Sequence, residues 1–315
     1  METISSQNPA IADLQTMVRM RHGARGLTNF PKVQARQMLA GGHKSRFRGR
    51  GMDFDQVRIY QPGDDIRNID WRVTARTQIP HTKMFSEERE RPILVISDLR
   101  APMFFGSQRL KSVVACEVSA ALVWAGLAAN DRAGGLIFGD QHQMDVKARR
   151  SHHSVLQFIH GLKDYSEKLV TSKQLLESIS LASMLEEARR FTLPGSTVFI
   201  VSDFHDLSES CERHLFDLAR LGNLNFCQVY DSIEQKLPPP ARYGVTDGTN
   251  KIALDTGNQL VRHRIEKAFS ERQNHLRIIS EKLSAGLLTF NTEQSVIGVL
   301  NKAYGKHRSK GRIKA

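Results

Sequence analysis

Residues 48–99 read RGRGMDFDQVRIYQPGDDIRNIDWRVTARTQIPHTKMFSEERERPILVISDL, and two kinds of sequence meet within them. From Pro92 the run PILVIS is continuously apolar and ends on Asp98. Such a run is the pattern of a strand covered on both faces, the mark of a parallel α/β sheet. Before it, charged and polar residues alternate with Phe54, Val57, Ile59, Tyr60, Ile69 and Trp71, which favour burial. Buried charge must be paired, so this segment is read as a fixed polar network. Asp53 to Tyr60 alternate as a strand, and Gln61-Pro62-Gly63-Asp64 is a turn in which proline sets φ and glycine gives freedom. Ile66 to Thr77 is expected as a short helix or turn, with Asp64 or Asp65 as its N-cap.

Downstream, apolar strands alternate with amphipathic helices. Leu110, Val113, Val114, Val118, Ala121, Leu122 and Ala125 mark a long helix at spacings of three and four. AGGLIF (133–138) and His142 to Val146 are expected to pair across Gly139-Asp140, and Gly134-Gly135 reads as close backbone packing. A helix around Val155 to Leu162 follows, and Leu175, Leu176, Ile179, Leu185 and Ala188 continue the helical set. Next come the strand TVFIVS (197–202), helix 215–221, strand 225–230, a long helix over 260–285 and strand 287–290. The pattern implies a mostly parallel sheet with helices on both faces. Upstream, Ile11, Leu14 and Val18, then Val33, Met38 and Leu39 before Gly41-Gly42, form a helical lead-in. The expected organisation is 1–42 lead-in, 43–91 β-rich polar segment, 92–304 α/β domain and 305–315 flexible basic tail.

The 315 residues are 40% hydrophobic, enough for a globular core, and carry a formal charge of +12. That field attracts nucleic acid, an anionic membrane or an acidic protein without choosing among them. It concentrates at Arg19 to Arg25, His43 to Arg50 and Lys306 to Lys314. Cys116, Cys211 and Cys227 have no paired spacing, so reduced, buried thiols are expected. The apolar run Ala120 to Ala129 is short for a membrane span and the N-terminus lacks a leader pattern, giving a cytoplasmic expectation.

Two strands end alike, at Ser97-Asp98 and Ser202-Asp203, and the carboxyl ends of parallel strands are where functional groups gather. Phosphate loops, dinucleotide fingerprints, nucleophile elbows and HExxH motifs are absent from the sequence. His142, His152, His153 and His160 lack ligand partners at matching spacing and read as exposed. Trp71 is read as a buried structural residue with charge-paired neighbours.

Several ordered motifs carry a family resemblance: Arg58, Tyr60, Pro62-Gly63-Asp64-Asp65, Arg67, Asp70-Trp71, Ala75-Arg76 and Phe85 to Glu88, then Phe105-Gly106-Ser107, Asn130-Asp131-Arg132, Val201-Ser202-Asp203-Phe204 and Leu237-Pro238. Over roughly residues 40–290 the chain resembles the domain of unknown function 58 family. That resemblance implies a von Willebrand factor A-like fold and genes that neighbour MoxR-type AAA+ ATPases. It also implies a strand-end metal site built from an Asp-x-Ser-x-Ser loop, a threonine loop and an aspartate loop. Here the first loop reads Asp98-Leu99-Arg100-Ala101-Pro102, the second offers Ser180 and the third Asp203. Both hydroxyl positions of the first loop are gone, and Arg100 is expected to bridge Asp98 and Asp203 in place of a cation, leaving no metal site.

The sequence therefore favours a non-enzymatic interaction module without cofactor, whose face includes Asp98, Arg100, Ser180, Asp203 and Asp206 and whose resemblance-implied partner is a MoxR-type AAA+ ATPase. The alternative from a different class is a divalent-metal-dependent hydrolase or nucleic-acid-binding protein using Asp98, Asp203 and Asp206 with the basic patches.

Overall fold

The computed structural model describes residues 8–27, 52–87, 92–171, 179–246 and 251–305. The second lead-in pattern (Val33, Met38, Leu39), the basic stretch His43 to Arg50, Leu175, Leu176 and the basic tail lie outside them. In chain order the elements are α1 (Leu14–Ala24), β1 (Met52–Ile59), α2 (Trp71–Thr77), β2 (His81–Glu87), β3 (Pro92–Asp98), α3 (Lys111–Ala128), β4 (Arg132–Phe138), β5 (Gln143–Arg149), α4 (His152–Thr171), α5 (Leu181–Phe191), β6 (Ser196–Ser202), α6 (Glu209–Leu221), β7 (Gly222–Tyr230), α7 (Ser232–Gln235), β8 (Arg242–Thr246), β9 (Lys251–Asp255), α8 (Gln259–Lys282), β10 (Gly286–Asn291) and α9 (Val296–Tyr304). The chain divides into two compact units, Met1–Ala35 with Arg91–Ala315, and Arg36–Glu90.

The larger unit is built on a six-stranded sheet ordered β10-β7-β6-β3-β4-β5, parallel except for the antiparallel edge strand β5. Numbered by appearance this is the doubly wound order 3-2-1-4-5-6. Side-chain alternation sends Ile93, Val95, Phe199 and Val201 to one face and Leu94, Ile96, Val198 and Ile200 to the other. The first face packs against α1, α3, α4 and α9, the second against α5, α6 and α8. Because both faces are covered, β3 and β6 need no polar residue before their ends. α3 lies against the sheet beneath other helices and is apolar all round, as such a position requires. It is longer than the apolar run alone implies. Among the described residues it is the one helix long and apolar enough to cross a membrane, and 83% of it is buried within the fold.

Gly134 and Gly135 mark close approach. A Cβ on Gly135 would lie 2.2 Å from the Val95 carbonyl oxygen and 2.5 Å from the Phe158 ring. All three cysteines are buried thiols, and His142, His152, His153 and His160 are exposed. Ile179, expected in a helix, lies in the connection ahead of α5. The hairpin β8–β9 and helix α9 go beyond the sequence expectation.

In the smaller unit β1 and β2 pair antiparallel, with a register shift between Phe54 and Gln56. The Gln61–Asp64 turn closes with Asp64 N–H donating to the Gln61 carbonyl at 3.0 Å, and Gly63 takes φ +103°, which glycine alone adopts readily. The expected burial of Trp71 is not found: it opens α2 and is 68% exposed. Among the described residues of this unit the seven-residue α2 is flanked only by the β1–β2 hairpin, which leaves the outer side of Trp71 open.

A candidate site at the switch point of the sheet

In a doubly wound sheet the strand order reverses at one point, and the loops leaving the two strands there diverge and open a crevice. Here that point lies between β3 and β6, whose carboxyl ends carry Asp98 and Asp203. The crevice is filled by the protein's own charges. Arg100 turns back from the end of β3 and is 1% exposed. Its Nε and Nη2 donate to the two oxygens of Asp98 at 2.8 and 2.7 Å. Nη1 and Nη2 donate to Asp206 at 2.9 and 3.1 Å, and Nη1 also donates to the Ile179 carbonyl at 2.7 Å. All five N–H groups of the guanidinium are thereby used. Asp98 also accepts from Ser202 Oγ at 2.7 Å, and Asp206 from the Leu181 N–H at 2.8 Å.

The expected Asp203 partner of Arg100 is corrected by this geometry. Asp203 instead accepts from Lys111 Nζ at 2.7 Å, and Lys111 also donates to Glu234 at 3.0 Å. The cause is local. Phe204 takes a left-handed φ of +55°, its N–H bonds back to Ser202 Oγ at 3.1 Å, and its ring packs edge-on to Phe226 in the core. The chain therefore reverses between the two aspartates, sending Asp203 to Lys111 and Asp206 to Arg100. His205 stands between them, with Nδ1 3.0 Å from Asp203 and 3.6 Å from Asp206. Ser180 is also corrected. Its hydroxyl caps α5 by accepting from the Ser183 N–H at 3.2 Å, and only its neighbours Ile179 and Leu181 reach the network, through backbone atoms.

The ionisations are coupled to this packing. Burial works against the Arg100 charge, but the hydrogen bonds and charge of Asp98, then Asp206, outweigh it and hold the guanidinium protonated. Lys111 is likewise raised, since Asp203 and Glu234 overcome burial. Burial would raise Asp203, yet bonding to His205 and the Lys111 charge hold its carboxyl far below the ordinary range. Asp206 is lowered against burial by Arg100. His205 is raised, chiefly by its hydrogen bond to Asp203.

Lys111, Glu234 and His205 were not among the sequence candidates. Lys111 left one signal: a cation at the first position of an apolar helix opposes the helix dipole and must be offset nearby. Glu234 is held in a capping box with Asp231, which also accepts from Ser107 and Thr292. Among the described residues no group of three or more His, Cys, Asp or Glu is placed to hold a metal ion.

The signature residues of the smaller unit make turns and caps. Arg58 pairs with Asp64 at 2.7 Å, Asp65 accepts from the Arg67 N–H at 3.0 Å, and Tyr60 N–H donates to the Pro80 carbonyl at 2.8 Å. Asp70 caps α2 through the Arg72 and Val73 N–H groups, and among the described residues its carboxylate pairs with Lys83 at 3.6 Å, where the sequence reading expected an arginine. The Val73 hydrogen bond leads the causes that lower Asp70 below its ordinary value. Arg67 and Arg76 are exposed.

A family profile described as "Protein of unknown function DUF58" matches residues 56–275, spanning both the turn-and-cap segment and the Arg100 crevice. The chain belongs to the DUF58 family. Uncharacterized proteins of Mycobacterium bovis and of two Mycobacterium tuberculosis strains are each 32% identical to it over 165 residues, 49% of this chain and 52% of the relative. This DUF58 chain thus spans about half the length of the curated relatives it matches.

Proposed function

We propose that this DUF58 protein is a non-enzymatic interaction module: a von Willebrand factor A-like domain with a degenerate metal site, acting with a MoxR-type AAA+ ATPase in the assembly or maturation of protein complexes. One observation carries the proposal. At the point of the sheet where ligands ordinarily bind, the guanidinium of Arg100 is buried and spends every donor on Asp98, Asp206 and Ile179. Acids neutralised by fixed internal cations are poor ligands for a hard cation, which needs several free oxygens. The doubly wound order with an antiparallel edge is compatible with the von Willebrand factor A-like assignment. The ATPase partner rests on the family resemblance alone.

The test is size-exclusion co-migration of the full chain with a MoxR-type ATPase from the same host, with ATP turnover recorded. The expected result is co-elution, a changed turnover of the ATPase, and no hydrolysis by this chain alone. Chelator-sensitive hydrolysis of a phosphodiester by the isolated chain, lost in Asp98→Asn or Asp203→Asn, would overturn it.

A further inference from the structure

Beside the Arg100 network, at the same edge of the sheet, lies a pocket of about 460 Å³. It is lined by the buried Lys111 and Asp203, by His205, Glu234 and Arg272, and by the apolar Phe105, Val245 and Ile252. The two carboxylates of the lining are already engaged. Asp203 Oδ1 accepts from the backbone and ring of His205, and Oδ2 from Lys111. Glu234 Oε1 accepts from Lys111 and Oε2 from the Asp231 N–H. Lys111 in turn lies 5.6 Å over the Phe105 ring.

What remains open is donor capacity. Among the described residues Arg272 has only a 4.0 Å ion pair to Glu234, too long for a hydrogen bond, and keeps most of its planar fork. His205 commits Nδ1–H to Asp203, so its Nε2 faces away from that partner and is a donor only in the imidazolium form. The two acids of the lining are both bonded to Lys111, which leaves the Arg272 fork as the open cationic group. Such a lining favours an anion with acceptor oxygens, and its apolar walls favour an anion carried on an apolar body.

The walls separate an enclosed ligand from a docked chain. Val245 and Ile252 are cross-strand partners on the β8–β9 hairpin, and they are 39% and 70% exposed. A pocket that encloses a small molecule buries most of its surface, whereas apolar side chains left open on a rim are the mark of a protein-docking surface. We propose that this pocket docks an acidic segment of a protein partner, its aspartate or glutamate carboxylate bound by the Arg272 fork and its neighbouring apolar side chain laid against Phe105, Val245 and Ile252. The proposal rests on the adaptor function above and specifies the chemistry it recognises.

The probe is a fluorescein-labelled peptide of alternating leucine and aspartate, titrated by anisotropy against the full chain at low salt, with an alternating leucine and asparagine peptide as its neutral twin. The acidic peptide should bind at least tenfold more tightly than the twin, the loss expected when a charge-assisted hydrogen bond becomes a neutral one. Arg272→Gln, at a half-buried position, and Ile252→Ser, at an exposed one, should each weaken it about tenfold while leaving the urea midpoint in place. Equal binding of the two peptides, indifference to both substitutions, or displacement by octanoate at equal concentration would overturn the proposal, octanoate by showing that a free amphiphilic carboxylate suffices. Co-elution with the ATPase without peptide binding removes this inference and leaves the adaptor function standing, and peptide binding without co-elution does the reverse.

Discussion

Replacing Arg100 by methionine isolates the energetic role of the buried guanidinium. The substitution keeps much of the side chain's volume and removes five donors, so Asp98, 1% exposed, is left with only Ser202 Oγ and the residue-100 N–H. Asp206 keeps the Leu181 N–H, and the Ile179 carbonyl loses its Arg100 donor. Removing one partner of a buried ion pair costs about 3–5 kcal/mol because the other charge is stranded without solvent. Against a typical total of about 5–15 kcal/mol this leaves a folded but weakened protein. Urea unfolding at neutral pH should show the midpoint falling with the slope unchanged. Adding Asp98→Asn removes the stranded charge and should restore roughly half of the loss, since the penalty lies in the uncompensated carboxylate. A loss below about 1 kcal/mol, or no recovery in the double variant, would refute the reasoning.

Gly135→Ala forces a methyl against the Val95 carbonyl and Phe158, and overpacking of this kind costs about 1–3 kcal/mol, read as a melting temperature lower by several degrees. Trp71→Ala should cost less than about 1 kcal/mol in urea unfolding, in contrast to a core aromatic, and a larger loss would mean that its outer side is covered in solution. Asp203 and Asp206 have folded values below the unfolded 3.8, so their stabilisation is complete above that value and is lost as the pH falls through their folded values. His205 is raised above 6.5, so its contribution is complete below that pH and fades as the pH rises through the folded value. The urea midpoint followed from acid to alkaline pH should therefore decline at both ends, and His205→Gln should flatten the upper decline and also soften the lower one, since His205 helps hold Asp203 down.

Much of the sheet was legible because parallel strands buried on both faces must be continuously apolar, as PILVIS and TVFIVS are. The Asp98–Arg100 pair was legible because Arg100 stands where the family resemblance places a metal-ligating serine, two residues beyond the acid that ends a central strand. The choice between Asp203 and Asp206 was not, because it depends on the left-handed turn at Phe204, and nothing in a phenylalanine announces that conformation. Trp71 was misread because aromatic character signals burial only where a second layer exists to provide it. The β8–β9 hairpin carries the alternation of a strand pair in Tyr243, Val245, Ile252 and Leu254, but its short, exposed strands lack the apolar density that marked the main sheet.

The smaller unit interrupts the larger one in the chain, so its two connections lead into the same body but end on unequal fastenings. One leads to β3, which is zipped along its length to β4 on one side and β6 on the other. The other leads to α1, a three-turn helix held by Met17, Ala24 and Leu27, by the Trp124 Nε1–H bond to the Met17 carbonyl at 3.1 Å, and by the bridge between Leu27 and Gly305. Tension applied to the inserted unit meets a riveted seam at one end and a press-fit peg at the other.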